Sequence, residues 1–494
     1  MKHLLLLLTL ISVSGFSQNI DDALLYSTET NYGSARYQAM SGAFGALGGD
    51  LSAINDNPAG SAVFKNSLIT GSLSVNSKNN DANYFGTQTN TSDSNLNINQ
   101  LGAALVLKDT GNSDWNKIVL AINYEQNQSF NTEYYIAGKS DTSFNSYFLN
   151  QANGLAFQDI QLLSGELIEE GYLNIGAEYG FDFQQAFLGY YGGLIDPVDA
   201  ANPLNTTYIG TATYNTVNQD YYYSSTGNSS KFNFNIATQY KDDLYLGLSL
   251  NAHNIDTEKV TTIKEKGYSP ASALEFASFS NYLNTQGSGF SFQLGLIKKM
   301  KNGLRLGASF QSPTWYTITD ELSQRINSNL ADADISYIGL NQINTFEDYK
   351  LRTPLKLTAS AAMVLGKQGL ISVDYHYKDY NNIKMKPNAS FSDTNAEIGQ
   401  VLKGTNEINI GGEYRIEKIS LRAGYRFEET PFKNEEIADN LKGYSLGFGY
   451  NFGRTKLDFS YSKSNQKNSH QVYGNISKLE ENKANVTASL TYNF

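Results

Sequence analysis

Apolar and polar residues alternate along much of the chain in segments of about ten, the length a tilted strand needs to cross a bilayer. Ile118, Leu120, Ile122 and Tyr124 alternate with Lys117, Val119, Ala121 and Asn123, and Leu457, Phe459 and Tyr461 with Lys456, Asp458 and Ser460. A period of two sends the two sets to opposite faces of a sheet. The pattern pairs 101–108 with 116–126, 230–240 with 244–255, 288–298 with 303–311, 355–365 with 369–378, 406–416 with 418–427 and 442–451 with 454–463. One strand near 66–76 precedes these pairs and one near 485–494 follows, which predicts about 14 strands.

A soluble sandwich also alternates, so the connections decide. Polar turns at Lys241-Asp242-Asp243, Lys301-Asn302-Gly303, Gly366-Lys367-Gln368-Gly369, Glu417-Lys418 and Gly453-Arg454 read as hairpins. Between successive hairpins lie the longer connections 256–287, 312–350, 379–404, 428–441 and 464–484, expected as loops. Short turns alternating with long loops suit a barrel whose two ends face different compartments, and an even strand count places both termini at the short-turn, periplasmic end. The longest connection, 127–229, carries Ala156, Ile160, Leu163 and Leu167 at helical spacing, then Phe181, Phe183, Phe187, Leu188, Tyr190 and Tyr191 with few charges. Two readings of it stand: a self-packed cap, and an apolar surface that receives a greasy ligand.

The start of the chain sets the compartment. Met1-Lys2-His3, the apolar run Leu4 to Val13, and small Gly15 and Ser17 before Gln18 predict a signal peptide over 1–17. Beyond it no charge-free apolar run reaches the roughly 18 residues of a membrane helix. Mean hydropathy of -0.39 fits a wall whose lipid-facing and lumen-facing residues cancel. With 34 Tyr, 26 Phe and 42 Gly against 8 Pro, and no linker-like stretch, residues 63–494 read as one all-β, membrane-spanning antiparallel barrel in the outer membrane of a Gram-negative bacterium, surrounded by lipid and lipopolysaccharide. The absence of cysteine excludes disulfides, thiol catalysis and thiolate metal sites. A net charge of -11 with scattered lysines argues against nucleic-acid binding.

Residues 18–62 do not alternate; small residues dominate, as in a segment packed inside a lumen, and they read as an N-terminal hatch. Asn57-Pro58-Ala59-Gly60 is a turn in which Pro58 keeps Asn57 out of the helical region and Gly60 is expected to supply a positive φ. Leu490-Thr491-Tyr492-Asn493-Phe494 ends the chain on alternating bulky residues, and Tyr492 and Phe494 resemble the signal read by the barrel-assembly machinery. Gly443-Tyr444-Ser445-Leu446-Gly447 matches a nucleophile elbow by letter, but it continues as strand with no histidine beside it in sequence. His253, His376 and His470 stand apart, and Asp332-Ala333-Asp334 lacks the rest of a calcium loop. No catalysis, metal or cofactor is expected.

Ser41-Gly42-Ala43-Phe44 with Asn57-Pro58-Ala59-Gly60, then Gly303 to Pro313, and Ile410 to Arg415 with Leu421 to Arg426 and Thr430-Pro431, resemble the FadL/TodX family of outer-membrane transporters for long-chain fatty acids and hydrophobic compounds. The resemblance implies a 14-stranded barrel with a hatch, a hydrophobic ligand site near the extracellular loops, and passive uptake. It also implies a lateral opening tied to a kink in the third strand, although 116–126 contains neither Gly nor Pro to mark one. Phe181, Phe183 and Phe187 are candidates for an apolar ligand, and Arg352 and Lys356 for its carboxylate. The rival reading is a barrel that docks secretion-system or surface-attachment proteins.

Overall fold

A computed structural model describes residues 19–494 apart from 110 and 112, so the signal peptide expected over 1–17 lies outside the described residues. Fourteen strands form one closed antiparallel barrel. They are β1 (Leu68–Tyr84), β2 (Thr87–Lys108), β3 (Trp115–Ser129, resumed by Thr132–Ser140), β4 (Val217–Tyr240), β5 (Leu244–Lys266), β6 (Phe276–Lys299) and β7 (Leu304–Gln311, resumed by Trp315–Ser328). The circuit continues with β8 (Tyr349–Arg352, resumed by Lys356–Leu365), β9 (Gly369–Asp379), β10 (Gly404–Ile416), β11 (Ile419–Glu428), β12 (Leu441–Asn451), β13 (Thr455–Val472) and β14 (Asn475–Asn493). β14 closes it on β1, from Leu68 opposite Asn493 to Asn83 opposite Lys478.

The two faces of this wall are inverted relative to a soluble protein. On β4, Phe232, Phe234 and Ile236 are 47–52% exposed while Asn233 and Asn235 between them are buried. The same alternation puts Ile69, Leu73 and Val75 outside and Thr70, Ser72, Ser74 and Asn76 inside on β1. Apolar residues facing out and hydrogen-bonded polar residues facing in match a wall whose solvent is lipid. Closure pairs every strand on both sides along its membrane stretch, which removes the unpaired edges that lipid does not tolerate.

Several strands run far past the bilayer. β4 and β6 have 24 residues each, against about 9–11 needed to span. Much of the sequence expected as loop, 256–287 and 464–484 above all, is therefore strand. The β1–β2 and β13–β14 hairpins end in two-residue turns, Phe85-Gly86 and Tyr473-Gly474, with both residues of each at positive φ. That geometry matches the twist of the flanking strands and explains the glycines. Ser312-Pro313, at the start of the connection expected over 312–350, is instead an interruption: β7 resumes at Trp315 and pairs with β6 as far as Ser328 opposite Ala277.

The connection between β3 and β4 reduces to 141–216 and folds as a cap with helices α1 (Asn145–Ala152), α2 (Ile168–Tyr179) and α3 (Phe181–Tyr191). Gly180, at φ +103, turns α2 directly into α3. Phe144, Phe148, Tyr172, Phe187 and Leu188 pack with Ile263, Phe279 and Ile326 of the extended strands. Buried Glu265 of β5 ties the cap down by accepting from Ser143 Oγ at 2.5 Å, Phe144 N at 2.6 Å and Tyr268 Oη at 2.7 Å.

Candidate functional site

Residues 19–64 lie against inward-facing groups of many strands. They hold two short helices, Ile20–Leu25 and Ala35–Ala39, and two 3-10 turns, Ser52–Asn55 and Pro58–Val63. The wall meets this segment with glycines. A Cβ on Gly247 (β5) or Gly295 (β6) would run into Pro58, on Gly307 (β7) into Gly45, on Gly411 (β10) or Gly424 (β11) into Met40, and on Gly447 (β12) into Ala39. Six strands thus give up a side chain so that the segment can lie directly on their backbone. Gly447 and Ser445, which bonds Ser41 Oγ at 2.8 Å, explain the elbow-like pentapeptide as an inward strand face.

Asn57 is the pin of the segment. Its Nδ2 donates to Gly45 O at 2.7 Å and to Leu296 O of β6 at 2.9 Å, and its Oδ1 accepts from Ala59 N at 3.1 Å. Its backbone is extended, as the following proline requires (φ -150, ψ 109). Gly60 does not take the positive φ expected of it: Pro58–Val63 is a 3-10 helix, and Gly60 is small because a Cβ there would approach Gly48 Cα at 3.1 Å. Around this pin, Arg36 donates to buried Glu413 at 2.9 Å, Asp374 accepts from Gly45 N at 2.7 Å, and Asn235 donates to Pro58 O at 3.0 Å.

Beside the segment is a cavity of about 690 Å³. Its lining is amphipathic rather than apolar throughout: Phe130, Tyr134 and Tyr223 share it with Lys78, Glu29 and Glu481. Tyr134 and Tyr223 stack at 4.5 Å with an interplanar angle of 5°.

The cavity borders a break in the wall. β2 and β3 pair from Lys108 opposite Lys117 to Gln100 opposite Glu125, and no further. β3 then stops at Ser129. Phe130 N donates to Gly227 O at 3.0 Å, and Gly227, at φ +110, donates to Asn131 Oδ1 at 2.9 Å. The resumed strand Thr132–Ser140 pairs with β4 alone, so Thr87–Asn99 of β2 faces it without a backbone ladder. Side chains make the contacts instead: Tyr135 N donates to Thr91 Oγ1 of β2 at 3.2 Å, and Asn80 Nδ2, from β1 behind it, donates to Glu133 O at 2.8 Å. The N-terminal segment touches the break, with Tyr26 edge-on to Phe130 at 5.9 Å and Thr30 N donating to Asn127 O at 2.8 Å.

The sequence-derived candidates are scattered. Phe187 is fully buried in the cap, against Tyr191 at 4.4 Å, and Phe183 packs on Tyr179 at 5.3 Å. Phe181 faces Phe346 at 6.2 Å. None of the three lines the cavity. Arg352 is exposed on the outer face of its strand, opposite buried Leu351, and does not join Lys356. Lys356 points into the barrel, 3.7 Å from Glu29 and 3.6 Å from Asp56. Burial opposes charge on Glu29, but Lys231, Lys356 and Lys378 hold its carboxyl well below the usual carboxylate range. Tyr492 and Phe494 are 41% and 63% exposed beside the closing seam, with Phe494 N on Ser67 O at 2.9 Å. Phe130, Tyr134 and Glu29 were not singled out in the sequence; the one signal was the polar run from Glu125 to Ser129, where alternation fails. Among the described residues no cluster of three or more His, Asp or Glu could hold a metal ion.

A closed 14-stranded barrel with an apolar outer face and a polar lumen is an outer-membrane transport barrel. The profile of the outer membrane protein transport protein family (OMPP1/FadL/TodX) matches residues 202–494, and the chain belongs to that family. The match covers β4 to β14, so the N-terminal segment and the β3 break lie outside it. The fold is similar to that of a Pseudomonas aeruginosa FadL homologue (TM-score 0.56, 12% identity, 95% of this chain and 100% of that chain). It is also similar to the P. putida toluene transporter TodX (TM-score 0.51, 12% identity, 95% and 99%) and to the CymD monoaromatic hydrocarbon channel (TM-score 0.50, 12% identity, 94% and 98%). No curated protein matches the chain.

Proposed function

We propose that this barrel admits hydrophobic or amphiphilic small molecules passively: capture at the cap, entry into the 690 Å³ cavity, and exit through the seam between β2 and the resumed β3. The carrying observation is that Gln128, Ser129, Phe130 and Thr132, the residues of the strand break, line the cavity. A ligand there needs to part only side-chain contacts, not a ladder. In this reading the segment 18–62 is the hatch, the cap is extracellular, and both termini are periplasmic, as the short turns and the even strand count suggest. Relatives described as transporters and channels support transport over a docking role in secretion.

The test uses the absence of native cysteine. Thr91→Cys with Tyr135→Cys, joined across the seam by a short bifunctional thiol reagent, should abolish cellular uptake of a labelled long-chain fatty acid, and the unlinked pair should retain it. Uptake unchanged after verified cross-linking would remove the seam from the route.

A further inference from the structure

The outer face of the wall carries a dense group of cations at the cap end of β8. Tyr349–Arg352 pairs with the short strand Lys384–Lys386, and the register sets Lys350 opposite Lys386, Leu351 opposite Met385 and Arg352 opposite Lys384. The middle pair points inward: Leu351 and Met385 are each 1% exposed, in the core that holds Tyr349, Tyr380 and Ile398. By alternation the other four side chains stand together on the outer face, and all four are exposed. Residues directly opposite lie about 5 Å apart at Cβ, and every second residue along a strand about 7 Å apart. Four positive charges thus share a patch of that size, in a chain whose net charge is -11.

Two observations distinguish this patch from a solvated basic edge. The first is that the protein does not compensate it. Like charges directly opposite on a sheet destabilise the pairing, yet among the described residues none of the four side chains is paired with a carboxylate. Their one polar contact there is Arg352 Nη2, 3.5 Å from Asn382 O. Of the neighbouring acids, Asp348 accepts from Thr319 Oγ1 at 2.5 Å, Asp379 accepts from Asn382 Nδ2 at 2.8 Å, and exposed Glu347 pairs with none of the four. The array is held in place all the same: Asn395 of the helix Ser392–Val401 accepts from Met385 N and donates to Met385 O, both at 2.9 Å.

The second is its level in the membrane. Trp315 of β7 lies opposite Arg352 and Phe290 of β6 opposite Trp315, so one row around the wall runs Phe290, Trp315, Arg352, Lys384. Both aromatic residues are exposed on the outer face. Trp315 is the eleventh residue after Leu304, where β7 leaves its short turn, and a tilted strand crosses the hydrocarbon in about 9–11. Outward tryptophan is enriched at the headgroup level. Toward the short turns, Leu357, Ile371 and Val373 face lipid, and in the other direction Lys350 and Lys386 form the next row. The patch begins where the hydrocarbon ends.

We propose that Lys350, Arg352, Lys384 and Lys386 bind the phosphate groups of the outer-leaflet glycolipid, the lipid A part of lipopolysaccharide. The proposal rests on the orientation given above, with the cap end extracellular, and is independent of what the barrel transports. Phosphate supplies the negative charge that the array lacks, in the layer with which the array is level. Arg352 meets it with a planar guanidinium fork and the lysines as point charges. The acyl chains of the same molecule lie against Trp315 and Leu357.

The test measures binding of diphosphoryl lipid A to the full-length protein in detergent by native mass spectrometry, with folding verified by heat-modifiable migration. Lys350→Gln with Lys386→Gln should weaken binding by about tenfold or more, as should Arg352→Gln with Lys384→Gln. Lys264→Gln with Lys266→Gln removes the same charge from the exposed outer face of β5 at the cap end, and should leave binding within about twofold. Lipid A stripped of its phosphates should bind the wild type no better than the first two variants bind the intact form. Binding unmoved in all three variants would overturn the site, and equal loss in all three would overturn it by showing that only net charge matters. Displacement of lipid A by equimolar inorganic phosphate would assign the cations to free phosphate and overturn the glycolipid. The orientation is tested separately, with a photoreactive benzoylphenylalanine in place of outward-facing Thr317 in intact cells. Capture of lipopolysaccharide supports the assignment. Capture of phospholipid alone, by a protein that binds lipid A in detergent, would overturn the orientation and the outer-leaflet ligand with it.

Discussion

Replacing Asn57 by alanine tests whether the N-terminal segment is seated by the contacts described. The side chain is 1% exposed and makes bonds of 2.7, 2.9 and 3.1 Å to Gly45 O, Leu296 O and Ala59 N. Each such bond contributes about 0.5–1.5 kcal/mol net, and a buried partner left without one costs about 1–3 kcal/mol. Leu296 O retains its place in the β6 ladder, so the uncompensated losses are at Gly45 and Ala59, and the total is roughly 2–5 kcal/mol. That raises the unseated population by about thirtyfold at the least. No strand pairing involves the Asn57 side chain, so barrel stability should stay as in the wild type. Hydrogen exchange followed by mass spectrometry should show faster exchange in 45–60 by at least about tenfold, with β5 to β7 unchanged. Wild-type protection of 45–60 in a folded N57A barrel would refute the pin.

Four further outcomes are expected. Phe234→Arg, on the lipid face of β4, should cost about 2–4 kcal/mol of folding stability in vesicles if it lies near mid-bilayer, measured by urea titration. Deleting 19–62 should leave a folded barrel of higher single-channel conductance, recorded in planar bilayers. A cysteine replacing Asn302 should resist a bulky thiol label on intact cells, whereas one replacing Asn468, in the long β13–β14 hairpin, should react. Phe181→Ser with Phe183→Ser should weaken fatty-acid binding by about tenfold if the cap takes part in capture; adding Phe187→Ser should also destabilise the cap, by about 3–5 kcal/mol for loss of a buried Phe.

The membrane half of the fold was readable because lipid imposes a strong period-two signal: every pair proposed from alternation, from 101–108 with 116–126 to 442–451 with 454–463, is a ladder in the structure. Outside the bilayer both strand faces meet water or the cap, so Lys463 to Gln471 carries no apolar alternation, although its backbone pairs residue by residue with β14. Physical pairing persisted where its hydropathy signature ended. The third-strand break escaped for a related reason. It is made by Gly227 on the neighbouring strand and by Asn131, not by a glycine or proline within 116–126. Glu29 was unreadable because its partners are hundreds of residues away, and one acid in a loop has no sequence neighbour to mark it.

The two kinds of contact holding the N-terminal segment differ in what can replace them. Residues 39–60 are held by close packing on Gly247, Gly295, Gly307, Gly411, Gly424 and Gly447, contacts that no solute can mimic in a space already filled. Residues 20–32 are held in good part by charge, through Asp22 on Lys259 at 2.9 Å and Glu29 on its three lysines, and both acids line the cavity. The wall is divided at the same level: β2 and β3 form a ladder as far as Gln100 and Glu125, beside the glycine-packed part, and open into the side-chain seam beside the charge-held part. On the proposed route through the seam, 20–32 and the break at Phe130 move while the glycine-packed core of the segment stays in place.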